Sequence, residues 1–146
     1  MNLVALATFI TAIIFFVMFH ILPWREDDGF PGWKLWPEVV RLVAHPSSMD
    51  GVSFRAISGL VSGSLVLVST PFLWVVMRRS RVLWWIVFAT SSMATFGLSG
   101  TILYHIVHNL EPGKGMICVI VAQILLTTGL LFIRREDPPA PTPDHQ

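Results

Sequence analysis

Residues 82–107 read VLWWIVFATSSMATFGLSGTILYHIV, a stretch without one Asp, Glu, Lys or Arg. About 20 helical residues cross the roughly 30 Å of a bilayer's hydrocarbon, and this run is longer than that. Lipid offers no partner for a peptide N–H or C=O, so a crossing segment is either a helix or a strand of a closed barrel. Barrel strands are short and alternate apolar with polar residues, which this run does not do. It is a membrane helix.

Outward from it the pattern repeats. Arg78, Arg79 and Arg81 separate this run from a second, 56–77. Downstream, 115–133 is a third, closed by Arg134 and Arg135, and 3–22 near the start is a fourth, with His20 its one titratable group. Composition agrees: 53% of the 146 residues are apolar and 13% charged, where soluble domains carry roughly a quarter charged. The 3–22 run lacks a Lys/Arg-bearing start and a small-x-small cleavage site before Pro23, so it is expected to be a retained helix and not a cleaved signal. The expected fold is all-α: a bundle of four transmembrane helices spanning 1–135, with a short interfacial helix in the 23–55 loop. A disordered tail, 136–146, is rich in proline, which removes backbone donors and favours extended chain.

Charge bounds the function. Ten Lys/Arg against nine Asp/Glu leave +1, which excludes nucleic-acid binding through a basic surface. The lone Cys118 excludes a disulfide scaffold or a multi-cysteine metal site; at its position it reads as a small buried hydrophobe. The bare Lys/Arg count ties between the two sides. Three arginines packed into 78–81, against Arg25, Lys34, Arg41 and Arg55 spread over the long loop, set the orientation as N-in and C-in.

In the long loop, Trp36-Pro37-Glu38-Val39-Val40-Arg41-Leu42-Val43-Ala44-His45-Pro46 predicts a short amphipathic helix, with Pro37 at its first position and its end before Pro46. Val39, Val40, Leu42 and Val43 share a broad face, and Trp33 and Trp36 favour the headgroup zone. A helix on the membrane surface, a lid over the bundle end and a partner's docking surface all fit this pattern. Trp74, Trp84 and Trp85 flank the arginine turn as a second aromatic belt.

Helices in lipid associate through close backbone approach and polar contacts. Candidate packing residues are therefore Gly59 and Gly63 in the second span, Gly97 and Thr101 in the third, and Gln123 in the fourth. Pro71 is expected to kink the second span near its arginine end. Gly97, Thr101, Tyr104 and His108 form one stripe, and Ser92, Thr95 and Ser99 a second, which gives the third span two packing sides and a central place. Gln123, with Thr127 one turn on, calls for a Ser or Thr partner on a neighbouring helix, each such bond contributing about 0.6–2 kcal/mol. Ala7-Thr8-Phe9…His20-Ile21 echoes Ala94-Thr95-Phe96…His105-Ile106, a faint repeat that pairs the first and third spans.

His20, His105 and His108 end parallel spans and reach one side of the membrane. Imidazoles on facing helices hold haem iron in many membrane proteins and suit copper or zinc, and Glu111 with Asp27 or Asp28 could orient them. Histidine and tyrosine also settle at the interface without any task. No phosphate loop, nucleophile elbow or His-Glu-x-x-His run occurs, and no carboxylate lies within a span. The leading reading is a non-enzymatic accessory or scaffolding subunit of a larger membrane complex, without a cofactor of its own. Its partners would be lipid and other membrane subunits or further copies of itself. A redox module holding haem b or quinone through His20, His105 and His108 is the alternative. A small permease or channel built around Gln123 is the third.

Overall fold

The computed structural model describes residues 3–24, 29–45, 51–108 and 110–133, with side chains at all of these but 51–53. Helix α1 runs Leu3–Ile21, and a 3-10 turn at Gly32–Lys34 leads into α2, Leu35–Ala44. Three long helices follow: α3 Gly51–Arg79, α4 Arg81–Val107 and α5 Lys114–Leu131. Helices α1, α3, α4 and α5 are each long and apolar enough to cross a membrane, which makes this a multi-pass membrane protein of the all-α, four-helix-bundle class. The 136–146 tail, Arg134 and Arg135 lie outside the described residues.

Helices α3 and α2 differ most from the sequence reading. Helix α3 begins at Gly51, because no proline stands between Gly51 and Arg55 and a first turn that ends at Arg55 can project beyond the apolar span. It continues through Pro71 to Arg79. Helix α2 begins at Leu35, so Pro37 falls inside the first turn, where its missing N–H would have had no intrahelical partner. Helix α4 starts after one extended residue, Ser80, whose Oγ accepts from the Leu83 N–H at 3.3 Å and caps it.

The buried residues of α4, namely Trp84, Val87, Ser91, Ala94, Leu98, Thr101 and His105, recur at alternating spacings of three and four. Ala5, Phe9, Ala12 and Phe19 do the same on α1, with half-buried Phe16 completing the series. A three-four spacing of this kind is the seam pattern that helices use when they pack side by side along their length. Around the bundle α1 lies along α5, α5 along α4, and α4 along α3. Aromatic side chains close the ring between α1 and α3, where Phe9 meets Trp74 edge-on at 5.3 Å. Helix α4 does have two neighbours, but the most buried span is α5, half of it inside.

The repeat reading, which paired the first and third spans, does not survive. Helix α1 packs on α5 because small residues let the backbones close there: a Cβ on Gly129 would stand 2.6 Å from Thr8 Oγ1. Trp84 also departs from the belt assigned to it. It is buried, donates from Nε1 to the Leu130 carbonyl at 3.0 Å, and stacks on Phe88. The last carbonyls of α5 need donors, and Trp84 supplies one; Trp85 alone of the two faces outward.

Candidate functional site

Polar side chains gather at two levels. Midway along the bundle, Gln123 on α5 is buried and donates through Nε2 to Ser91 Oγ at 2.9 Å and to the Ser91 carbonyl at 3.3 Å. Because that carbonyl only accepts, the amide nitrogen must face α4. Ser91 Oγ pairs with Thr127 Oγ1 at 2.7 Å, and Thr95 Oγ1 with Thr127 Oγ1 at 3.1 Å. Thr127 in turn donates to the Gln123 carbonyl at 2.9 Å. The amide oxygen is left pointing at α3, into the notch of Gly63, where a Cβ would come within 2.4 Å of it.

The other small residues meet one helix turn nearer the long loop. A Cβ on Gly59 would lie 3.1 Å from the Ala94 carbonyl, and one on Gly97 would lie 3.2 Å from the Arg55 carbonyl. Thr101 is buried beside them and donates to its own Gly97 carbonyl. The sequence reading singled out Ser92, Thr95 and Ser99 on α4 but passed over Ser91. Spacing could have found it, since Ser91 sits on the same three-four series as Trp84, Ala94 and Thr101.

The second level is the end of the bundle that carries the long loop. There the chain leaving α1 is fastened to the start of α5 through backbone. Gly113 N–H donates to the Trp24 carbonyl at 3.2 Å, and Gly115 N–H to the Pro23 carbonyl at 2.7 Å. These bonds satisfy donors that a helix N-terminus leaves open. Trp24 N–H donates to the Phe30 carbonyl, Gly32 N–H to that of Leu22, and an isolated bridge pairs Pro23 with Pro31. Phe19, Trp24, Val39 and Met116 bury one another beneath this knot. Helix α2 is a lid on one arc, through Leu35, Val39 and Leu42, and leaves Val40 and Val43 exposed on the next.

The three candidate histidines all sit at this end, and each bonds first to its own helix. His20 Nδ1 lies 2.8 Å from the Phe16 carbonyl, His105 Nδ1 2.9 Å from that of Thr101, and His108 Nδ1 2.9 Å from that of Tyr104. A carbonyl only accepts, so each Nδ1 is the donor here, and Nε2 of His20 has a lone pair for the Trp36 N–H. On His20 that lone pair accepts from Trp36 Nε1 at 3.0 Å, with the rings stacked, which latches α2 onto α1. His105 is buried on the face of α4 that packs on the bundle, while His108 is exposed and stacks on Tyr104 at 4.0 Å. Among the described residues no three His, Cys, Asp or Glu are placed to share a metal ion. Glu111 is exposed, and Asp27 and Asp28 lie outside the described residues.

Comparison with protein-family models, with curated proteins and with solved structures finds no match for this chain.

Proposed function

We propose that the protein is a non-enzymatic accessory or scaffolding subunit of a larger membrane assembly, oriented N-in and C-in, with protein partners on its lipid-facing surface. One observation carries the reading. On the outer face of α4, Met93 and Phe96 are 75% and 78% exposed, and Gly100, one turn beyond Phe96, has nothing within 4 Å of where a Cβ would stand. A ridge beside an unfilled notch is a surface on which a second helix can approach to backbone distance, the main source of association in lipid. The polar side chains of the interior support the same reading, since Gln123, Ser91, Thr95 and Thr127 bond to one another.

Native mass spectrometry after extraction in a mild detergent tests it. The protein is expected to emerge with another membrane subunit or a further copy of itself. Gly100→Leu should weaken that association at least tenfold without lowering the temperature of thermal unfolding. A wild-type protein recovered solely as a stable monomer overturns the reading, as does a Gly100→Leu variant that associates normally.

A second reading, haem b or quinone held near the loop end by His20, His105 and His108, is favoured by one feature. Nδ1 bonds to the helix backbone leave Nε2 of buried His105 and exposed His108 as the ring nitrogen for a ligand, the arrangement that orients metal-bound imidazoles. His20 would have to release Trp36 to join them. This reading expects a stoichiometric Soret band that His105→Ala or His108→Ala abolishes, or a quinone in the organic extract. Purified protein with neither retires it.

A further inference from the structure

We infer that the space beneath α2 is a binding site for one acyl chain of a bilayer phospholipid, with the lipid phosphate held at Arg41. A cavity of about 510 Å³ lies at the loop end, between α2, the chain leaving α1 and the first turns of α3. Trp24 and Phe30 wall it on the side of the chain leaving α1, Val39 and Leu42 of α2 roof it, and Ile57 and Leu60 of α3 form the far wall. Glu38 and Arg41 are the charged groups among its lining residues.

Three properties select the occupant. The first is size: at about 510 Å³ the cavity falls in the range of ~300–1,000 Å³ that holds one small ligand, which admits a single acyl chain. The second is depth. The α3 wall, Ala56 to Leu60, lies in the first turns of the segment that can span the membrane, which begins at Phe54. A molecule entering there with its tail toward the bundle keeps its head at the level of the lid.

The third property is charge. Arg41 Nη2 donates to Glu38 Oε1 at 2.5 Å, an exposed pair in which the Arg41 side chain is 69% accessible. A guanidinium carries five N–H donors in a planar fork that matches phosphate, so one carboxylate contact leaves donors for a second anion. An acid-and-base rim above an apolar slot fits a phosphodiester head over a hydrocarbon tail. The site does not depend on the accessory role, since a subunit or a redox module could carry a bound lipid equally.

Photolabelling of the full chain in phosphatidylcholine nanodiscs tests this. The probe is a phospholipid with a diazirine at the end of one acyl chain, and labelled peptides are quantified after digestion. Label on the Ile57–Leu60 segment is expected to exceed label around the exposed Phe72 at least fivefold. Ile57→Trp, which fills the slot, should remove that excess while Phe72 labelling stays constant; Val39→Phe fills it from the roof and should do the same if the first variant fails to fold. Arg41→Gln should reduce labelling by the phospholipid probe at least threefold, and leave labelling by a diacylglycerol probe of the same chain unchanged. Label distributed by exposure alone, or undiminished in both filled variants, overturns the site. Equal loss with both probes in Arg41→Gln overturns the phosphate contact.

Discussion

Gly32→Ala and Gly113→Ala are each expected to lower the melting temperature in detergent by about 10 °C, from about 3 kcal/mol of destabilisation, the upper end of ordinary overpacking. A Cβ on Gly32 would stand 2.1 Å from the Phe19 carbonyl oxygen and 2.6 Å from the Phe19 ring; one on Gly113 would stand 2.4 Å from the Trp24 carbonyl oxygen. Neither neighbour can yield cheaply. The Phe19 ring is completely buried, and the Trp24 carbonyl already accepts the Gly113 N–H in the knot that ties α1 to α5. To admit a methyl group the backbone must part, and the Gly113, Gly115 and Gly32 bonds loosen together. Gly100→Ala is the control: open space receives its Cβ, and alanine favours helix by about 1 kcal/mol over glycine. Thermal unfolding followed by tryptophan fluorescence reads the difference, because Trp24 lies in the knot. If Gly32→Ala and Gly100→Ala melt alike, the close approach is absent.

These glycines mark the boundary of what the amino-acid order reveals. The four spans and the short loop helix are legible because each depends on a local property: an apolar run longer than the hydrocarbon, a charged turn such as Arg78–Arg81, or a Pro37–Pro46 frame. Gly59, Gly63, Gly97 and Gln123 are legible as residue types that would otherwise be costly in a membrane helix. Gly32 and Gly113 resemble ordinary loop punctuation, and Gly115 the plain start of a span, until α1 and α5 lie side by side. Their role is distance to another segment's backbone, and no spacing encodes that. Trp84 misled for a related reason. Tryptophan at a membrane boundary ordinarily sits in the headgroups, and only the position of the Leu130 carbonyl shows that this one turns inward. The partner of α1 was misread from a similarity of letters, where the deciding feature is which helix, α5, offers Gly129 for Thr8 to enter.

Gly63→Leu is the other substitution with a large expected effect, and its cause can be separated from simple crowding. The clash at Gly63 is with Gln123 Oε1, the end of a side chain that could in principle swing away. It is held in place because Nε2 is committed to both Ser91 Oγ and the Ser91 carbonyl. A leucine at position 63 must therefore either push α3 off α5 or break those bonds and strand a buried amide. Overpacking of about 1–3 kcal/mol adds to the lost interhelical bonds, for about 3 kcal/mol in total. Removing the obstacle should relieve it. In a Gln123→Ala background the leucine side chain has the vacated amide space to enter, so the two changes together should cost about 1–2 kcal/mol less than the sum of each alone. Gln123→Ala by itself should be mild, since Ser91, Thr95 and Thr127 keep their mutual bonds. Reversible unfolding of the four proteins in one detergent measures the cycle. Strict additivity would mean that the leucine never meets the glutamine, and the notch of Gly63 would then have no part in seating the amide that joins α5 to α4.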